Sequence, residues 1–147
     1  MRLRVEVPAT IANLGPGFDA FGLALDLCNV VEVDTAAAPA IRWSGEGVDE
    51  LPTDGSDLVT RAIREVSGGA LPRLSMMATN AIPLERGLGS SAAAAIAGAL
   101  IGQALVDRPT SVADAYAVAA RLDGHPDNAA AAAFGGFTVV VDDAVIR

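Results

Sequence analysis

Apolar and polar residues alternate at the start of the chain, as they do in a strand with one buried face. Positions 3, 5 and 7 are apolar and their neighbours are charged, and Pro8 is expected to end this strand because proline lacks the N–H of a sheet ladder. The Leu- and Val-rich segment from Phe21 to Asp34 predicts either two further strands or one long bent strand. A short strand is predicted from Ile41 to Ser44.

Helical spacing of apolar residues begins in the middle of the chain. It predicts a helix over residues 56–66, with Ser56 as its N-cap and a pair of glycines after its end. A strand is predicted over residues 71–79, and a loop follows over residues 80–89. Residues 90–106 carry the strongest helical pattern of the chain.

The last part of the chain predicts two more helices and a strand. The third helix reaches about residue 122 from a cap at Thr110 or Ser111, and a short fourth helix reaches about residue 133 from a cap at Asp127. Two glycines then break the helix, and the apolar run 137–141 predicts a buried strand.

The order of these elements indicates the fold class. Strands come first and again last, with helices between them, which is typical of an α+β fold with a mixed sheet layered with helices, and not of a regular doubly wound sheet. The sequence shows no repeat and no linker. Because 147 residues suit one domain, residues 1–147 are predicted to form a single domain.

Composition narrows the choice of partners. The chain has 18 acidic and 10 basic residues, so its net charge of -8 opposes binding to nucleic acid or to anionic lipid. Every basic residue is an arginine. A phosphate site in this protein must therefore use backbone N–H groups, arginine, hydroxyls or a metal, because the lysine of a Walker loop is missing.

The cysteine count and the first residues bear on the location of the protein. Cys28 is the only cysteine, which excludes an intramolecular disulfide and a multi-cysteine metal site. The N-terminus is charged where a signal peptide needs an apolar block, and the alanine-rich stretch 92–106 is too short to span a bilayer. We therefore expect a cytoplasmic protein.

Two glycines precede two serines at the head of the strongest predicted helix, in the segment Pro83–Ala93 (PLERGLGSSAA). The first N–H groups of a helix lack internal partners and carry a partial positive charge, so they suit an anion, and glycine lets a phosphate come close. The segment predicts a phosphate site whose hydroxyls serve phosphate or Mg²⁺. For a bare Gly-x-Gly-Ser, an ordinary N-cap at Ser90 remains the alternative.

A second polar loop lies between Asn13 and Asp19, with two glycines inside it. A carboxylate accepts hydrogen bonds from an ammonium group, and an amide both donates and accepts, so the pair can bind a small polar substrate. An ordinary polar turn is the alternative.

The only histidine lies in the segment Asp123–Asn128 (DGHPDN). This segment places four polar side chains just before an all-alanine stretch, which indicates a candidate site. A histidine between Gly and Pro is also typical of a simple hydrogen-bonding loop residue, and Asp127 of a helix cap.

Taken together, these three segments resemble the GHMP kinases, the family of galactokinase, homoserine kinase and mevalonate kinase. Pro83–Ala93 is similar to the phosphate-binding motif of that family. Pro8–Asp19 (PATIANLGPGFD) and Asp123–Asn128 narrow the resemblance to the homoserine kinases. The resemblance covers the chain from Leu3 to about Val141.

The resemblance implies the GHMP-kinase N-terminal (ribosomal-protein domain-2-like) fold, ATP and Mg²⁺ as cofactors, and transfer of a phosphoryl group to the hydroxyl of L-homoserine in threonine biosynthesis. The implied nucleotide-binding residues are Pro83, Arg86, Gly87, Leu88, Gly89, Ser90, Ser91 and Ala92. The implied homoserine-binding residues are Asn13, Asp19, His125 and Asn128. The implied metal ligands are Ser91 and Asp123.

The sequence departs from the family pattern in two respects. Family members commonly carry an acidic metal ligand in the helix before the histidine motif, but residues 116–122 contain none and Asp123 is the nearest carboxylate. Family members are also about twice as long, so we expect a C-terminal GHMP domain to be absent from these 147 residues. A missing C-terminal half or a second copy in a homodimer is the expected protein partner, and weak turnover by the chain alone is expected.

Three rival functions stay open. Another GHMP kinase would act on a different small alcohol, and a noncatalytic nucleotide-binding or assembly module would keep the fold without the chemistry. A hydrolase that uses Ser90 and His125 is the least favoured, because no nucleophile elbow is indicated.

Overall fold

The computed structural model describes residues 1–142 and 144–147 and has one six-stranded sheet and four helices within them. In chain order the elements are β1 Arg2–Ala12, β2 Phe21–Asp34, β3 Ala40–Gly45, α1 Leu58–Val66, β4 Ser75–Asn80, α2 Ser90–Leu105, α3 Val112–Asp123, α4 Pro126–Phe134, β5 Phe137–Val141 and β6 Ala144–Ile146. The predicted α+β class with a mixed sheet is confirmed.

Strand β2 organises the sheet. It is one long strand, and β1 pairs with it in antiparallel orientation along almost its whole length. The other edge of β2 is shared, because β4 pairs with Val30–Asp34 and β5 pairs with Phe21–Leu23. The remaining strands extend the sheet outward, with β3 parallel to β4 and β6 antiparallel to β5.

The helices cover one face of the sheet. Helices α2 and α4 pack on β1 and β2, α1 packs on α2, and α3 packs on both α2 and α4. Small residues let α1 approach α2 closely: a Cβ added to Gly98 would lie 2.2 Å from the carbonyl oxygen of Val59. Most of the alanines of α2 and α4 are buried between these layers, so the two helices that reach the sheet pack closely on it.

The prediction that Pro8 ends the first strand is wrong. The strand continues to Ala12 after a register shift between Pro8 and Thr10. Proline is tolerated here because β1 pairs on one side only, with β2, so its missing N–H breaks no second ladder. The shift also buries two consecutive residues, Ala9 and Thr10, which a regular alternating strand would place on opposite faces.

Two predicted helix caps are wrong. Asp57, and not Ser56, caps α1, because the Ser56 hydroxyl is bonded to the carboxylate of Asp54 at 2.6 Å. Asp127 does not cap α4: His125 is at the N-cap position, and Asp127 lies inside the first turn with its side chain buried. The predicted cap of α3 at Ser111 is confirmed, and Thr110 is excluded.

Two strand predictions need adjustment. Strand β4 begins at Ser75, four residues later than predicted, and includes Asn80. Strand β5 has the predicted bounds but is not buried throughout, since Phe137 and Val141 are exposed and only Thr138 and Val140 are buried. Strand β6 was not predicted because it is only three residues long.

No helix in the described part of the chain is long and apolar enough to cross a bilayer.

Candidate active site at two helix starts

A cavity of about 590 Å³ lies where the starts of α1, α2 and α4 come together with the middle of β2 and the end of β4. Its lining includes 29–31, 56–59, 78–80, 83–91 and 93–94, together with Trp43, Leu51, Pro52, Asp123, His125 and Asn128. The cavity is large enough for a small-molecule ligand of ordinary size. The glycine segment and the histidine segment, which lie far apart in the sequence, therefore form one site.

The start of α2 offers unpaired backbone donors to this cavity. Its N-cap is Gly89, in left-handed conformation with φ 67° and ψ 29°, and no side chain caps the helix. The N–H of Ala93 donates to the carbonyl oxygen of Gly89 at 3.0 Å, so the N–H groups of Ser90, Ser91 and Ala92 precede the first bond of the helix ladder. Such donors, together with the helix dipole, favour an anionic ligand.

Gly89 is required at its position for two physical reasons. Its positive φ disfavours every residue with a Cβ. In addition, a Cβ there would lie 2.0 Å from Oγ1 of the buried Thr10 and 3.1 Å from Oδ1 of Asn128. The lack of a side chain thus lets the loop lie directly on β1 and beside α4.

Two buried asparagines hold the loop before α2, and sequence analysis missed both. Asn29 of β2 donates from its amide to Oδ1 of Asn80 of β4, and its own Oδ1 accepts from the N–H groups of Ala81 at 2.8 Å and Ile82 at 3.0 Å. Asn80 donates to the carbonyl oxygen of Glu46 at 2.8 Å. An asparagine inside the apolar β2 and another at the end of β4 were the only available signals, and they are weak ones.

The two serines differ in their surroundings. The hydroxyl of Ser90 donates to Oδ1 of Asn80 over a long 3.4 Å, and Ser90 is half-buried. Ser91 is exposed and lines the cavity. Ser91 therefore has the more available hydroxyl for a phosphate or a metal.

The start of α4 faces the same cavity and also lacks a side-chain cap. The carboxylate of Asp123, only 5% exposed, lies 3.3 Å from Nδ1 of the more exposed His125. Asn128 accepts from the hydroxyl of Thr10 at 2.7 Å. All three side chains of this cluster are cavity-lining, so the predicted histidine segment contributes a carboxylate, an imidazole and an amide.

Most of the predicted nucleotide-binding residues lie together at the cavity. Pro83 and residues 86–91 line the cavity, and Arg86 is the one arginine among its described lining residues. Ala92 is fully buried and is not a lining residue. Its side chain can therefore serve only the packing of α2.

Asn13 and Asp19 lie apart from this cavity, since neither is among its described lining residues. Both have left-handed backbone conformations, with φ 69° and 56°. The loop is closed on itself, because Oδ1 of Asn13 accepts from the N–H of Asp19 at 2.8 Å and the N–H of Asn13 donates to the carbonyl oxygen of Phe21 at 2.9 Å.

An apolar recess adjoins the start of α2, which sequence analysis also missed. Trp43, Leu51, Pro52 and Leu84 are among its lining residues. The indole N–H of Trp43 donates to the carbonyl oxygen of Pro52 at 2.8 Å, which fixes the ring. The cavity thus offers apolar walls at one part and anion-binding donors at another.

A divalent metal would find oxygen ligands but no complete protein cage. The described residues contain no group of three or more His, Cys, Asp or Glu side chains placed to hold a metal. Mg²⁺ commonly binds one or two carboxylates together with substrate phosphates. The carboxylate of Asp123 and the hydroxyl of Ser91, both lining the cavity, fit that requirement.

Comparison with known proteins agrees with this geometry. Residues 57–136 match the family model described as GHMP kinases N terminal domain. The chain is 49% identical over 139 residues to a homoserine kinase from Corynebacterium kroppenstedtii, covering 92% of this chain and 45% of that protein. It is 39% identical over 142 residues to a homoserine kinase from Desulfitobacterium hafniense, covering 95% of this chain and 48% of that protein.

Solved structures show the same fold. A homoserine kinase from Cytophaga hutchinsonii superposes with a TM-score of 0.81 at 28% identity, covering 99% of this chain and 51% of that chain. The mevalonate kinase of Methanococcus jannaschii shares the fold alone, with a TM-score of 0.70 at 16% identity over 100% of this chain and 56% of that chain. The chain spans about half the length of the relatives that it matches.

Proposed function

The chain belongs to the GHMP kinase family, and from that premise we propose that it is the nucleotide-binding half of an ATP-dependent homoserine kinase. The observation that carries the proposal is the uncapped start of α2, whose glycine lies directly on Thr10 and whose free donors face the cavity. Phosphate is the ligand that such a helix start suits best.

The nucleotide would lie across the two parts of the cavity. Its triphosphate would bind the N–H groups at the start of α2, with Arg86 as an additional cation. Its base would enter the apolar recess beside Trp43 and Pro52. The apolar part of the cavity suits the flat base of ATP, and the part with N–H donors suits its charged triphosphate.

The acceptor alcohol would lie on the α4 side. His125 and Asn128 line the cavity next to Asp123 and can hydrogen-bond an alcohol or a carboxylate. Asn13 and Asp19 complete the proposed homoserine pocket, with Asp19 as the partner of the ammonium group. Because these two lie outside the cavity lining, their role requires a substrate that extends beyond the cavity.

A bound Mg²⁺ would neutralise charge on the transferred phosphate. Ser91 and Asp123 would hold it, together with phosphate oxygens. The protein itself orients the two substrates and stabilises the phosphate charge, and that positioning accounts for most of the catalysis in phosphoryl transfer. We assign no general base for this reason.

Titration calorimetry with ATP, with and without Mg²⁺, tests the nucleotide site. Ser91→Ala is expected to weaken Mg²⁺–ATP binding about tenfold, because one charge-assisted contact is lost, and to change binding of metal-free ATP much less. Asp123→Asn should reduce the Mg²⁺ dependence in the same way. Ser67→Ala is the matched control, since the Ser67 hydroxyl has no partner among the described residues and lies outside the cavity.

A coupled assay of ADP formation tests the acceptor. Homoserine, mevalonate and shikimate are compared with the 147-residue chain alone and with a form that includes the C-terminal half of the relatives. The proposal expects activity with homoserine in the longer form and little in the chain alone. Preference for another alcohol would favour a different GHMP kinase, and full turnover by the chain alone would refute the half-enzyme proposal.

A noncatalytic nucleotide-binding or assembly module is the second candidate. It is favoured by the lack of an acidic residue in positions 116–122, the helix before the histidine motif where the family commonly has a metal ligand, with Asp123 as the nearest carboxylate. ATP binding without any Mg²⁺ dependence, and without activity in the longer form, would support it.

The protein partner and the location follow from the same proposal. Relatives have about twice the length of this chain, and we propose as its protein partner either the part of the relatives that this chain does not span or a second copy of this chain. A cytoplasmic location fits a biosynthetic kinase.

A further inference from the structure

Thr10 lies beneath the cavity and contacts both of its uncapped helix starts. It is fully buried on β1 and is not itself among the described cavity-lining residues. Its N–H donates to the carbonyl oxygen of Leu88 at 2.9 Å, just before α2. Its hydroxyl donates to Oδ1 of Asn128 at 2.7 Å, in the first turn of α4.

The irregularity in β1 is what gives Thr10 this position. Ala9 and Thr10 both point into the interior, with 0% exposure each, because the register shifts between Pro8 and Thr10. A regular strand would have placed one of the two on the outer face. Bulges of this kind often redirect a side chain next to a functional site.

The bond to Thr10 decides which end of the Asn128 amide remains for a ligand. A carboxamide has an oxygen that accepts and a nitrogen that donates. The oxygen of Asn128 is engaged by Thr10, so the NH₂ group is the one left for a ligand in the cavity. A donor suits the oxygen of a phosphate or of an alcohol, whereas an acceptor would repel phosphate.

We propose that Thr10 is a positioning residue of the kinase site: it fixes the amide orientation of Asn128 and links that amide to the loop before α2. The inference rests on the proposed function. Asn128 lies beside Gly89 at the start of α2 as well as on the acceptor side, so its NH₂ group, fixed by Thr10, would donate to the terminal phosphate of ATP that faces the acceptor. Thr10 acts through Asn128 and Leu88 and touches no substrate itself.

Removal of the hydroxyl tests the proposal in the 147-residue chain. Thr10→Val keeps the shape of the side chain, Thr10→Ala avoids overpacking, and Thr10→Ser restores the hydroxyl. Both hydroxyl-free variants are expected to weaken Mg²⁺–ATP binding about fivefold to tenfold, the usual effect of one hydrogen bond. Thr10→Ser should bind within about twofold of the unmodified chain. A purely structural role would change the melting temperature and leave the affinity of the folded protein unchanged.

The side-chain amide signal of Asn128 in ¹H–¹⁵N NMR spectra gives a second readout, assigned by its loss in Asn128→Asp. It should move in Thr10→Val and Thr10→Ala and return in Thr10→Ser. An unmoved signal with unchanged ATP affinity in both hydroxyl-free variants overturns the inference while the kinase proposal stands. If the unmodified chain binds no ATP, the proposed function fails, and the amide signal alone still decides whether Thr10 orients Asn128.

Discussion

The four helices in the described part of the chain begin in two different ways. Helix α1 is capped by Asp57, whose carboxylate accepts from the N–H of Thr60 at 2.9 Å and from its hydroxyl at 2.7 Å, and α3 is capped by the hydroxyl of Ser111. Helices α2 and α4 begin at Gly89 and His125 with no side-chain cap.

The difference indicates that capped helix starts contribute to the stability of the fold, whereas an uncapped start can contribute to ligand binding. A cap satisfies the first donors of a helix with the protein's own oxygen atoms and closes that start to other anions. Asp57 lines the same cavity as the two uncapped starts, and there its carboxylate already engages the N–H of Thr60 and places a negative charge at the start of α1. The protein thus stabilises α1 and α3 by capping and leaves the first N–H groups of α2 open to a ligand. At α4, by contrast, Pro126 has no N–H and the N–H of Asn128 donates to Oδ1 of Asp127 at 2.8 Å.

The largest effect is expected at Gly89. Gly89→Ala should weaken ATP binding about 100-fold or more, because a Cβ there overlaps Oγ1 of Thr10 and the left-handed backbone is strained. Gly89→Asp should abolish binding, since it adds a negative charge. Calorimetry measures both variants.

Gly68→Ala is the matched control for Gly89. Gly68 also has positive φ, but open space surrounds the position of its Cβ, and it is not in the cavity lining. The control should lower stability by about 1 kcal/mol and leave ATP affinity unchanged. Unchanged ATP affinity in Gly89→Asp would contradict the binding role of this helix start.

A smaller effect, on folding, is expected at the capped start of α1. Asp57→Ala should lower the free energy of unfolding by about 2 to 3 kcal/mol, because the buried Thr60 loses partners for both its N–H and its hydroxyl. Urea denaturation measures the change. Asp57→Asn keeps one acceptor oxygen and should lose about half as much; equal stability of Asp57→Ala and the unmodified chain would contradict the role of the cap.

A still smaller change is expected at α3. The hydroxyl of Ser111 caps α3 by accepting a hydrogen bond from the N–H of Asp114 at 3.1 Å, and this bond is exposed to solvent. Ser111→Ala should therefore lower the free energy of unfolding by about 0.5 to 1 kcal/mol and leave ATP affinity unchanged. Weaker ATP binding in this variant would show that capping and binding are not separate.

The smallest effect concerns the carboxylate that precedes α1. The hydroxyl of Ser56, with its N–H, lowers the pKa of Asp54 below its usual value of 3.8. Because the pKa is lower in the folded state, the contribution of this group to stability is present above the unfolded pKa and is lost as the pH falls through the folded one. Ser56→Ala should raise the pKa of Asp54 toward 3.8, as an NMR titration of the carboxyl carbon would show; an unchanged pKa would exclude the hydroxyl as its main cause.

Local chemistry made much of the fold predictable. Apolar spacing and capping signals located the four described helices, and the Leu- and Val-rich run located the segment of β2 but not whether it is one strand or two. The glycines and serines at the head of α2 indicated the helix start that has no side-chain cap. Caps were harder to predict. Asp57 and Ser56 are both good N-cap residues. Only the folded structure decided between them, since the Ser56 hydroxyl bonds the carboxylate of Asp54 while Asp57 accepts from the N–H of Thr60.

The sequence by itself determined the elements, the fold class and the one helix start that suits phosphate, because these depend on residues a few positions apart. The tertiary structure alone decided how the site is assembled. Asn29 and Asn80 lie 51 residues apart, and Thr10 and Asn128 lie 118 residues apart. Hydrogen bonds over such separations leave no periodic pattern in the sequence, since they arise only when packing of the helices on the sheet brings the partners together.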